Sequence, residues 1–125
     1  MMPPAILLIT GDAETERAVT EAARRTKRPV TVARTAHEAV KILSHGLKDL
    51  SLILLDLDQD VHGVTLFSAL EDCHGATPVV ALTGCEEGYM KPLAMDRGAA
   101  GCLGKPVTAA RFARLFDTFC PTATQ

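Results

Sequence analysis

Ser51-Leu52-Ile53-Leu54-Leu55-Asp56 decides how this chain is read. After the serine it is apolar without a polar gap, and it stops at a carboxylate. Such a run suits a central parallel strand covered on both faces by helices. An Asp at its end stands on the C-terminal edge of the sheet, where open α/β folds place their chemistry. The same Asp would serve equally well to cap a turn or the next helix. The flanking sequence has to separate these readings.

Towards the N-terminus, Ala5 to Ile9 reads as another apolar strand, followed by the turn Thr10-Gly11-Asp12. Asp12 is an N-cap type, and Ala13 to Thr26 reads as a helix with Ala18, Val19, Ala22 and Ala23 inward. Arg17, Glu21 and Arg24 fall on its outer face. Pro29 breaks the chain before a short strand, Val30 to Ala33. Thr35 with Glu38 forms a capping box for a helix over Ala36 to His45, striped by Ala39, Ile42 and Leu43 and stopped at Gly46.

Towards the C-terminus, Val64 to Asp72 reads as a helix and Val79 to Leu82 as a buried strand ending at Thr83-Gly84. Gly88 and Pro92 interrupt the next segment, so a short helix is expected to begin near Pro92 and stop at Gly98. Gly101 to Leu103 is a fifth strand. A last helix runs from the Thr108 cap to Phe119, anchored by Phe112, Leu115, Phe116 and Phe119. Five strand–helix repeats imply a doubly wound, five-stranded parallel sheet with right-handed crossovers. The fold class is therefore α/β, a flavodoxin-like (βα)5 architecture in one domain over residues 1–121, with a frayed tail over 122–125.

The composition agrees. A chain of 125 residues with 47% hydrophobic and 22% charged residues can bury a single core. A net charge of -2 does not indicate a phosphate-neutralising face, so no nucleic-acid partner is expected. No apolar run reaches the roughly 18–20 residues of a membrane span, and the N-terminus lacks signal-peptide features. A cytoplasmic location and no membrane partner are expected. Cys73, Cys85, Cys102 and Cys120 are single, without a C-x-x-C pair, which suits reduced thiols. Cys73-His74 is the only close Cys/His pair, so a zinc site is not expected. His37, His45, His62 and His74 read as surface residues.

Three residues at strand ends could converge at one edge of the sheet: Asp56, Thr83 and Lys105. A carboxylate, a hydroxyl and an ammonium suit a group that becomes a dianion. The lysine would pair with the added charge, and the threonine would donate to a phosphoryl oxygen.

At these residues the chain resembles the receiver domains of two-component response regulators, the CheY-like family. The matching pieces are Ile6 to Ile9, Leu52 to Leu57, Pro78 to Gly84 and Gly98 to Pro106, the last carrying a G-A-x-x-x-L-x-K-P pattern. The resemblance implies Asp56 as phosphoacceptor, Thr83 as switch hydroxyl and Lys105 as the phosphate-contacting lysine. It also implies Mg2+ as cofactor and a histidine kinase or phosphotransfer protein, or a downstream effector, as partner. Self-standing enzymatic activity is not expected.

The chain departs from the family at Thr10, Gly11 and Cys102, and in the loop after Asp56, which lacks the usual proline and reaches Gly63 one residue early. The two consecutive acids that follow the first strand in a receiver are here Thr10 and Gly11, with Asp12 one place further on. Cys102 stands where the family has a switch aromatic. With Asp56 left as the strong carboxylate, helped by Asp58 and Asp12, Mg2+ binding is expected to be weak and phosphotransfer slow or absent. Phosphorylation-independent docking, or dimerisation through Phe112, Leu115 and Phe119, is the alternative. A small-molecule binder is a third reading, because Thr10 to Thr15 resembles a phosphate loop opening a helix. With no Trp and one Tyr (Tyr89), flavin stacking has little to draw on. No G-x-G-x-x-G, Walker A or G-x-S-x-G motif occurs.

Overall fold

The computed structural model describes residues 5–44, 50–57, 77–84, 95–96 and 98–119. The helix expected over 64–72 and nearly all of the interrupted segment before Gly98 lie outside these residues, as do Gly46, Asp58, Cys73, Cys85, Cys120 and the loop histidines.

Five parallel strands form one sheet: β1 (Ala5–Ile9), β2 (Val30–Ala33), β3 (Leu50–Asp56), β4 (Val79–Thr83) and β5 (Gly101–Gly104), in the order β2-β1-β3-β4-β5. Three described helices accompany them: α1 (Ala13–Thr26), α2 (Ala36–Ser44) and α3 (Ala109–Phe119). β3 is central, and its last five residues are buried. This is the gapless apolar run of the sequence, and it needs both faces covered because its side chains alternate between them. Ile53 and Leu55 join Leu7, Ile9, Val79 and Ala81 against Ala39 and Leu43 of α2. Leu52 and Leu54 join Ile6, Leu8, Val80 and Leu82 against α1 and α3.

Helix boundaries follow their caps. Asp12 accepts the Glu14 N–H at 3.3 Å, and α1 ends at Lys27, whose φ of 56° lies in the left-handed region. Val19, Ala22 and Ala23 are buried as expected; Ala18 is half-buried, and Thr15 is buried as well. The Thr35 hydroxyl accepts the Glu38 N–H at 3.0 Å, the threonine half of the expected capping box. In α3 the Thr108 hydroxyl accepts the Arg111 N–H at 3.2 Å. Gly98 (φ 98°) donates its N–H to Met95, which is the stop expected there.

Two buried residues bear on the surface, one an expected anchor of α3 and the other a charged residue in a turn. Phe112 is buried and stacks on Phe116 with ring centroids 6.2 Å apart, so it belongs to the core and not to a dimer surface. Leu115 and Phe119 are half-buried against the same cluster. Arg28, in the turn between α1 and β2, has a side chain only 3% exposed. Its nearest carboxylate, the exposed Asp117 of α3, is 3.7 Å away. Among the described residues, its buried Nε has no hydrogen-bond partner.

Candidate functional site

Parallel pairing carries the strand ends to one edge of the sheet. Ile9 pairs with Leu55, which sets Thr10 beside Asp56, and Asp56 pairs with Leu82, the residue before Thr83. Thr83 pairs with Gly104, which sets Lys105 at the same edge. The turns after the strands are tied back to their neighbours. Thr10 donates its N–H to Ala33 (3.0 Å), Leu57 to Leu82 (2.9 Å) and Lys105 to Thr83 (2.8 Å). The Lys105–Pro106 peptide is cis.

Asp56 is held on both oxygens. The Thr10 hydroxyl donates to Oδ2 at 2.7 Å, and the Lys105 ammonium lies 3.0 Å from Oδ2 and 3.2 Å from Oδ1. These are charge-assisted contacts in a shielded place, since the Asp56 side chain is 0% exposed and Thr10 1%. Thr10 also accepts the Asp12 N–H at 3.0 Å, so its hydroxyl links the start of α1 to the carboxylate of β3. Thr83 is fully buried at the end of β4.

Asp12 is committed elsewhere. Its Oδ1 accepts the Glu14 N–H, and its Oδ2 accepts the Thr15 hydroxyl at 2.6 Å. Lys105 Nζ is 3.6 Å from the same Oδ2. The Thr15 hydrogen bond is the main cause holding the Asp12 carboxyl below the ordinary Asp range. The Glu14 N–H and the Lys105 charge act in the same direction, against partial burial.

The strand-end trio is therefore brought to one edge, and Lys105 reaches Asp56. Of the three acids considered for Mg2+, Asp12 and Asp56 share Lys105 between them, and Asp58 is outside the described residues. Among the described residues no group of three Asp, Glu, His or Cys side chains could hold a metal ion. Mg2+ needs a near-octahedral oxygen shell with carboxylates for charge. Here a hydroxyl donates to one carboxylate, a helix start occupies the other, and an ammonium touches both. The donor set among the described residues does not fit the ion.

Two features escaped the sequence reading. The Thr10–Asp56 hydrogen bond spans 46 positions, and only the pairing of β1 with β3 makes it visible. The Thr15–Asp12 contact was open to the spacing, since Thr15 stands three residues on from the cap. Cys102 packs partly against the α2-side cluster, in register with Ala81.

The model of the response regulator receiver domain matches residues 6–117. Solved structures share the fold. A response regulator from Thermotoga maritima superposes with a TM-score of 0.84 at 16% identity, covering 97% of this chain and 100% of that one. The Mn(2+)-bound form of response regulator Rcp1 gives 0.82 at 19%, covering 98% of each chain. A Burkholderia pseudomallei response regulator, with a phosphorylated aspartic acid, calcium ion and citrate, gives 0.77 at 22%, covering 95% of this chain and 67% of that one. No curated protein matches the chain. With the family pattern running through all five strands, from Ile6 in β1 to the last turn of α3, this chain belongs to the response regulator receiver domains.

Proposed function

We propose that this receiver serves phosphorelay signalling as a docking module, through protein–protein contacts, with Asp56 held by Thr10 and Lys105 and not charged by Mg2+-assisted transfer. Receivers as a family work with histidine kinases, phosphotransfer proteins and effectors. The observation that carries the proposal is the 2.7 Å bond from Thr10 to Asp56. It replaces an acid of the family pattern with a neutral donor.

Phosphoryl transfer to a carboxylate brings two anions together, and the charge that develops has to be offset at the site. Lys105 is the cation that the described residues place at Asp56, and its ammonium already contacts both oxygens. Attack also needs an oxygen lone pair aimed at phosphorus. In this arrangement both Oδ1 and Oδ2 accept hydrogen bonds, inside a shielded site.

The persistence of Asp56, Thr83 and Lys105 at one edge supports a second reading, in which Asp56 is still a phosphoacceptor. Intact mass after incubation with acetyl phosphate and Mg2+ separates the two. No phosphoryl adduct on folded protein is expected. A single adduct that an Asp56→Asn control lacks would overturn the docking reading and establish the second. A homodimer would draw on Leu115 and Phe119 of α3, without Phe112.

A further inference from the structure

The ammonium of Lys105 sits between two described carboxylates, 3.0 Å from Asp56 Oδ2 and 3.6 Å from Asp12 Oδ2. Its side chain is 16% exposed, and its own backbone N–H is fixed to the Thr83 carbonyl at 2.8 Å. The charge therefore arrives from a strand end and not from a loose loop. A compact ammonium on an aliphatic stem is a point charge that can face two acceptors at once.

Among the described residues, the charges of the pocket are close to balanced without any ion. Asp12 lies at the N-cap of α1, where the helix start carries about half a positive charge and the Glu14 N–H points at it. Asp56 has Lys105 and the Thr10 hydroxyl. A third carboxylate at position 10 would leave the pocket short of positive charge; a threonine does not. Its hydroxyl also donates to the oxygen nearest the ammonium, which keeps that oxygen facing Lys105.

We propose that Lys105 is the resident cation of this receiver: its ammonium, seated between Asp12 and Asp56 beside the neutral Thr10, takes the part of a divalent ion. The folded domain then neither needs nor takes up such an ion at this site. The inference rests on the docking reading of the same site and adds what balances its charge.

The test is a Mn2+ titration followed by the electron paramagnetic resonance of free Mn2+, together with thermal melts with and without Mg2+. Wild type is expected to leave the Mn2+ signal undepleted and to melt at the same temperature in both buffers. Lys105→Met keeps the aliphatic stem and removes the charge. It is expected to take up one equivalent of Mn2+ and to melt higher with Mg2+, and both gains should vanish in Lys105→Met/Asp56→Asn. Lys105→Arg should behave as wild type.

Stoichiometric Mn2+ uptake by wild type that Asp56→Asn abolishes would overturn the proposal, and so would a folded Lys105→Met that ignores both ions. If Lys105→Met does not fold, the comparison of wild type with Asp56→Asn still decides. The two proposals fail separately. An Asp56 adduct formed in metal-free buffer would remove the docking reading and leave the resident cation standing. Mn2+ uptake without an adduct would do the reverse.

Discussion

Asp56 ends β3 with a Thr10 hydroxyl and a Lys105 ammonium on its oxygens, and this fixes the sign of a simple experiment. In a pocket crowded with acids, neutralising one carboxylate relieves repulsion and stabilises the fold. Here it removes charge-assisted hydrogen bonds and leaves a buried hydroxyl and a partly buried ammonium less well matched. Asp56→Asn is therefore expected to destabilise the domain by about 1.5–3 kcal/mol, read from urea unfolding at neutral pH. A stabilised variant would show that repulsion dominates at this site. Residue-level chemistry was half legible beforehand. Asp56, Thr83 and Lys105 stand out because each follows an apolar run. Thr10 reads only as a missing acid until pairing with β3 gives its hydroxyl an acceptor.

Elements were read more easily than contacts, and their caps explain why. β1, β2 and α1 have the boundaries expected from Ala5–Ile9, Val30–Ala33 and Asp12 with Ala13–Thr26. A strand bounded by a turn, or a helix opened by Asp, carries its signal within a few residues. The inward face of α3 was less legible. Its apolar residues Phe112, Leu115, Phe116 and Phe119 all suit an anchor, yet only the two stacked phenylalanines are fully covered. Sequence spacing marks a face; the depth of each residue depends on what the opposing sheet and α1 leave open. Phe112→Ala is expected to cost about 3–5 kcal/mol, measured by urea or thermal unfolding. A cost below about 1 kcal/mol would place Phe112 at the surface after all.

At the scale of the whole molecule, one sheet carries two apolar layers, so the edge that holds Asp56 is braced from both sides. No described helix is long and apolar enough to cross a membrane. One charged residue, away from that edge, is buried. Arg28 lies in a turn rich in basic residues, yet its side chain is 3% exposed and its buried Nε has no hydrogen-bond partner among the described residues. Asp117, its nearest carboxylate, is itself mostly in solvent and returns little of the hydration lost on burial. Arg28→Met is expected to be neutral or stabilising, by about 4 kcal/mol at most, in equilibrium unfolding. A loss of more than about 1 kcal/mol would mean that the distant carboxylate matters more than desolvation. The consequence is practical. A chain hardened at Arg28 is a reserve of stability remote from the signalling edge, and a background in which Lys105→Met and Asp56→Asn can be studied even where the unaltered chain would not tolerate them.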